Sequence, residues 1–162
     1  MPPRRRRSAR EPRLPLWSRP GYLIRRLHQI HVALFLEECK AIRLTPVQYG
    51  LLTALAVRGE LDQVSLAEEL GLDRTTAAEV LSRLEARGLV VRKPNPRDRR
   101  ARLARITRRG RALTAAMFAN MQRAQDRMCA PLSQKERDAF MATLVRLIEA
   151  NNEYGRGTLR ID

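Results

Sequence analysis

Residues 73–111 read DRTTAAEVLSRLEARGLVVRKPNPRDRRARLARITRRGR, from Asp73 to Arg111. Thirteen Lys or Arg stand here against four Asp or Glu, so +9 of the chain's formal +15 falls in one block. Asp73 has the side chain of a helix N-cap. After it Ala77, Val80, Leu81 and Leu84 recur at i, i+3, i+4 and i+7, the spacing of one buried helix face. Gly88 suits the left-handed position that closes a helix. Leu89-Val90-Val91 reads as a strand, and Pro94-Asn95-Pro96 as the hairpin tip that ends it. Residues 101–106 return as a second strand without clean alternation. Excess positive charge on a helix joined to a hairpin is what a duplex nucleic acid attracts.

Upstream, Ser65 opens a helix with Leu66, Ala67 and Leu70 as apolar positions, and Gly71 marks a turn. Helix, short turn with Gly, helix is the helix-turn-helix pattern. Thr45-Pro46-Val47-Gln48 starts the helix before it: a capping Thr, Pro at the first helical position, and Gln to complete a capping box. That helix extends to about Val57 and ends at Gly59, burying Leu51, Leu52, Leu55 and Ala56. From Pro20 a further helix carries Leu23, Leu27, Ile30 and Leu34 at helical spacing, with Ile24 and His31 alongside. Glu38 interrupts this stripe, and Phe35 and Leu36 lie outside it. Apolar residues on more than one side predict a partner helix, including one from a second subunit. Thr107 caps a long helix to about Met128, Pro131 breaks it, and Ser133 with Glu136 forms another capping box. Phe140, Met141, Leu144, Leu147 and Ile148 share one face of the last helix.

The chain has 162 residues, 44% hydrophobic and only 4% aromatic, so aliphatic side chains fill its core. No apolar run approaches the ~20 residues of a membrane span, and the basic N-terminus lacks an apolar h-region. The expected location is cytoplasmic, with no membrane partner. A basic amphipathic helix for a membrane surface needs bulky apolar anchors, and the basic block has neither Trp nor Phe. Cys39 and Cys129 form no CxxC or Cys/His cluster, so no metal site is expected and the two read as free thiols. No Gly-rich phosphate loop or nucleophile motif is present, and two His in one helix do not make a triad. The sequence predicts no enzyme and no cofactor.

On a helical wheel of 74–87, Thr75, Ala78, Glu79, Ser82 and Arg83 face away from the apolar set. In a major groove, Thr75 and Thr76 would meet phosphates or a thymine methyl. Arg83 would meet guanine or phosphate, and Glu79 a cytosine amino group. Arg97, Asp98, Arg99 and Arg100 occupy the hairpin, where arginine suits the potential of a narrow minor groove. Asp98 among arginines makes sense if it pairs with Arg100 and orients it.

The runs LTPVQYGLL and LAEELGLDRTTAAEVLSRLEARGLVVRKPNPRDRRARLARITRRG resemble the MarR family of winged helix-turn-helix regulators. The likeness covers roughly residues 20–150. It implies a mainly α fold with a small β-hairpin wing, flanked by N- and C-terminal dimerisation helices. The expected organisation is a disordered basic arm (1–19), an N-terminal dimerisation helix (20–44), a winged helix-turn-helix DNA-binding lobe (45–110), C-terminal dimerisation helices (111–152) and a loose tail (153–162). The resemblance implies a homodimer on a pseudopalindromic operator in double-stranded DNA, with Arg100 in the minor groove held by Asp98. It also implies repression relieved by a small-molecule effector such as an aromatic carboxylate. Some members of the family use Arg and His on the first helix for this. Here Arg25, Arg26, His28 and His31 stand there, with Tyr22 and Tyr49 as candidate walls. Two other functions compete: an architectural DNA binder of low specificity, and a cysteine-based redox regulator. The family's peroxide sensors place their Cys well upstream of the segment matching Thr45-Pro46, and Cys39 lies only six residues before Thr45.

Overall fold

The computed structural model describes residues 15–155 and 157, with the side chain of Arg99 outside the description. Six helices surround a small sheet: α1 (Pro20–Glu38), α2 (Pro46–Arg58), β1 (Glu60–Asp62), α3 (Gln63–Glu69), α4 (Arg74–Ala86), β2 (Val90–Asn95), β3 (Asp98–Ile106), α5 (Arg108–Cys129) and α6 (Gln134–Ala150). The fold is the expected one, mainly helical with a β-hairpin wing.

Local chemistry sets most boundaries. Thr45 and Gln48 close a reciprocal capping box at the start of α2, and Ser133 and Glu136 do the same for α6. Asp73 accepts the Thr76 backbone N–H at 2.8 Å, and the Thr107 hydroxyl accepts that of Gly110 at 3.0 Å. Each satisfies a donor that the first helical turn leaves without a partner. The end of α4 is a Schellman motif. Gly88 sits at φ 67°, its N–H bonds the Glu85 carbonyl, and the Leu89 N–H reaches back to Leu84 at 2.9 Å.

Three boundaries differ from expectation. α3 begins at Gln63 rather than Ser65, because Asp62 caps it by accepting the Ser65 N–H at 2.8 Å. Asp62 also ends β1, a three-residue strand too short to show a period. The third difference is the wing. β2 continues through Pro94 to Asn95, and β3 starts at Asp98, three residues before the expected return at 101. The sheet order is β1-β3-β2, all antiparallel, with Leu61 opposite Ala104 and Val90 opposite Ile106. Since β2 is an edge strand, Pro94 needs no partner for the N–H it lacks, and the register shifts between Pro94 and Asn95. Of the segment expected to be a disordered arm, residues 15–19 include a 3-10 turn at Leu16–Ser18, while 1–14 lie outside the described residues. At the other end, Asn152–Tyr154 forms a second 3-10 turn.

The core collects Leu51, Leu52 and Leu55 of α2, Leu66 of α3, and Leu81 and Leu84 of α4, with Ile106 and Met117 closing it. α1 enters this core through Phe35, which is 1% exposed, although Phe35 lies off the Leu23–Leu34 stripe. The stripe itself is half open: Leu23 and Ile30 are exposed. Ala56 is only partly buried against this core, and Tyr49 of α2 is buried in it as well. α1 packs lengthwise on α5. Glu38 accepts the Arg123 side chain at 3.0 Å and that of Arg127 at 2.8 Å, and Asn120 donates to its carbonyl. Hydrogen bonds from Arg127 and then Arg123 hold the Glu38 carboxyl below its usual range. α6 buries none of its residues, and Met141, Leu147 and Ile148 are 52%, 50% and 48% exposed.

Phe35→Ala removes the ring that joins α1 to the α2 core. It should lower unfolding free energy by about 3–5 kcal/mol, read from urea denaturation at fixed protein concentration.

Candidate nucleic-acid interface and effector helix

α3, a four-residue turn and α4 form the helix-turn-helix, and the apolar face of α4 is buried as the spacing requires: Ala77, Val80, Leu81 and Leu84. Thr75, Glu79, Ser82 and Arg83 are exposed on the opposite face. Glu79 and Arg83 touch at 3.4 Å along the helix. A pair of this kind is worth only about 0.2–0.5 kcal/mol, so both side chains remain free to exchange that contact for another. Thr76 differs from Thr75. Its hydroxyl donates to Asp73 at 2.8 Å and is used inside the cap.

The wing tip is shaped by two side chains acting on backbone. Asn95 Oδ1 accepts the Arg97 N–H, and Asp98 Oδ1 accepts the Arg100 N–H, both at 2.9 Å. Such Asx turns fix a short loop. Asp98 therefore holds Arg100 through its backbone, not through the expected ion pair between side chains. Arg97 and Arg100 are exposed. Arg99 lies on β3, and its side chain falls outside the description. Between the wing and the helices runs a cleft lined by Gln63, Arg74, Leu81, Arg92, Asp98 and Arg100. It brings the first residue of α4 to the base of the hairpin.

Sequence reasoning missed the tie between these two parts. Arg92 on β2 donates through Nε to Glu85 on α4 at 2.7 Å, and a second guanidinium nitrogen contacts the same oxygen. The hydrogen bond from Arg92 holds the Glu85 carboxyl below the usual carboxylate range. Arg102 then donates to the Arg92 carbonyl at 3.2 Å. Other arginines of the basic block are structural too. Arg111 donates to the carbonyl of Ala56 near the end of α2, and Arg105 lies 3.8 Å from Glu60. Arg74, Lys93, Arg97, Arg100, Arg108 and Arg109 are exposed.

The candidate effector residues are dispersed along α1. Arg25 stacks over Tyr22 at 5.6 Å. Arg26 is exposed and bonds Gln29 at 3.3 Å. His28 and His31 lie with ring centroids 6.4 Å apart, and His31, Phe35 and Tyr49 continue as a column at 6.4 and 5.9 Å. Tyr49 is therefore a packing residue between α1 and α2. His31 is different. Its Nδ1 is buried and has no hydrogen-bond partner, and burial, then the charge of His28, push its pKa down. Cys39 is 2% exposed, and burial pushes its thiol pKa up. Thiolate reactivity needs the opposite conditions, so the redox reading loses its candidate residue. Cys129 is buried as well.

A sequence profile described as the MarR family matches residues 44–101. The transcriptional repressor NicR of Pseudomonas putida is 31% identical over 135 residues, 83% of this chain and 85% of that protein. The chain belongs to the MarR family. BpsR of Bordetella bronchiseptica, a MarR-type neighbour whose DNA binding is regulated by 6-hydroxynicotinic acid, is 30% identical and superimposes with a TM-score of 0.79. The match covers 83% of this chain and 96% of BpsR. The repressor CouR, solved on a 23-mer DNA duplex, is 32% identical with a TM-score of 0.77, covering 82% and 94% of the two chains. As a member of this family the protein is a DNA-binding transcriptional regulator with a winged helix-turn-helix. No helix among the described residues is long and apolar enough to cross a membrane.

The Glu85–Arg92 tie should set how this regulator presents α4 and the wing together. Glu85→Gln should weaken duplex binding about 2- to 5-fold, the scale of a partly exposed ion pair. The sign with pH follows from a depressed carboxyl pKa. The tie is fully present above the carboxyl's unfolded pKa of ~4.3 and is lost as pH falls through the lower folded value. Fluorescence anisotropy with Glu85→Gln, and an acid-unfolding comparison of the two proteins, check both statements.

Proposed function

We propose that the protein is a homodimeric, sequence-specific repressor that a small aromatic acid releases from a pseudopalindromic operator. In this reading α4 enters the major groove, with Thr75, Glu79 and Arg83 toward base edges and Thr76 presenting its methyl group. The wing lies along the minor groove with Arg100 inserted, Arg97 and Arg99 beside it, and Asp98 fixing the backbone that carries them. The exposed face of α6 and the open half of the α1 stripe support the dimer. A helix whose apolar side chains meet only water gains stability by burying them against a second copy. The proposed dimer region is therefore α1, α5 and α6, with residues 45–110 as the DNA lobe.

His31 carries the effector assignment. A buried imidazole nitrogen without a partner costs desolvation energy that a ligand carboxyl or hydroxyl would relieve. The buried Phe35 ring backs it at 6.4 Å, and Arg26 supplies a cation five residues earlier on α1. Tyr22, Arg25 and His28 would shape the mouth of this site. The regulation of BpsR by 6-hydroxynicotinic acid supports an acid of this size and planarity.

Two measurements test the proposal. Selection from random duplexes should return a palindromic site bound at least ~10³-fold more tightly than unselected DNA at the same salt. Equal affinity for both would make the protein an architectural binder instead. Titration with 6-hydroxynicotinic acid and substituted benzoic acids should release the selected duplex. His31→Ala and Arg26→Ala should each raise the acid concentration needed by ~10-fold, the worth of one charged hydrogen bond. An unchanged response in both, with dimerisation intact by sedimentation, removes the ligand from α1.

A further inference from the structure

Arg87 is the C-cap residue of α4. Its guanidinium leaves that helix and grips the turn between α1 and α2. Nη1 donates to the carbonyl of Arg43 at 2.8 Å, and Nη2 donates to that of Ile42 at 3.1 Å. A planar fork fixes both direction and distance, which a single donor does not. The gripped turn is itself tightly determined. Arg43 holds φ at 53°, the single positive value outside glycine among the described residues. The turn hangs on α1 through the Cys39 N–H to Phe35 and the Ile42 N–H to Cys39. Buried Cys39 and Leu44 pin its two ends. These carbonyls cannot turn away from Arg87 without disturbing the core.

α1 and α4 share little direct packing, so this fork is a short polar route between them. A shift of α1 carries the Ile42 and Arg43 carbonyls with it, and Arg87 transfers the shift to the end of α4. We propose that Arg87 is the positioning residue that couples the N-terminal helix to the recognition helix. The proposal rests on α4 being the DNA-reading helix. It does not depend on which effector α1 binds. Coupling is reciprocal, so DNA on α4 must be felt at the turn if the turn is felt at α4. A plain cap of a strained turn would stabilise the fold but would not transmit.

Hydrogen exchange separates the two roles. Amides of residues 39–44 are followed with and without saturating duplex selected from a random pool, in wild type, Arg87→Ala and Arg87→Lys. In the wild type, exchange in this segment should slow about 5-fold or more on DNA binding, the low end of ordinary coupling. Arg87→Ala should still bind the saturating duplex and protect α4, yet show no DNA-dependent change at 39–44. Arg87→Lys keeps the charge but not the fork and should show a reduced change. It also serves as the readout should the alanine variant fail to fold. A DNA-independent turn in the wild type, or a full wild-type response in the folded variants, overturns the coupling. If no duplex binds the wild type, the DNA-reading assignment of α4 falls, and the coupling falls with it.

Discussion

Thirty-two cationic side chains against seventeen acidic ones set the main constraint on this fold. Like charges crowded on a small body repel, and the compact state has to absorb that repulsion. The solution is visible in where guanidinium groups point. Arg87 takes two turn carbonyls, Arg111 a carbonyl near the end of α2, and Arg102 a strand carbonyl. Arg123 and Arg127 surround Glu38. Carbonyls at helix ends carry partial negative charge and lack intrahelical donors. Arginine thus sets part of its excess charge against backbone dipoles, once near a helix end, and against the Glu38 carboxylate. Among the described residues, the exposed cations of the basic block include Arg74 on α4, Lys93, Arg97 and Arg100 on the wing, and Arg108 and Arg109 at the start of α5.

The helix-turn-helix and the wing converge on one junction. Gly88 and Leu89 end α4 and lead into β2. The Thr107 backbone N–H bonds the Leu89 carbonyl, and the Thr107 hydroxyl bonds that of Gly88. The first turn of α5 then presses so close that a Cβ at Gly110 would collide with the Leu89 carbonyl oxygen. Recognition helix, wing and long helix therefore leave a single knot of backbone bonds. Glu85 and Arg92 add a strut a short distance from that knot. Residues on the outer face of α4 or at the wing tip can vary without touching either support.

What the sequence reveals follows the range of the interactions. Thr45 with Gln48, Asp73, Thr107, and Ser133 with Glu136 cap their own helices within three residues, and each is readable from the chain alone. Leu81 and Leu84 are equally plain because one helix face repeats them. Pro94 misleads, since its tolerance depends on β2 being an edge strand, a property of the whole sheet. Phe35 misleads for a related reason: the strongest apolar stripe of α1 faces its own core only in part, through residues such as Leu34, and the most buried residue lies beside it. Arg87 is opaque because its acceptors lie 44 and 45 residues away. From sequence it is one cation among thirteen. The separate outer face of α4 was legible, whereas the private use of the Thr76 hydroxyl by Asp73 was not.

Asn95 and Asp98 close the two turns of the wing with their own side chains, each two residues ahead of the amide it accepts. The tip is thus held by bonds within the chain itself. A loop ordered in this way has already lost its conformational freedom during folding, so little entropy remains to be surrendered at contact. Binding of such a wing is expected to resemble rigid docking, with its rate governed by charge steering and not by a search among loop shapes.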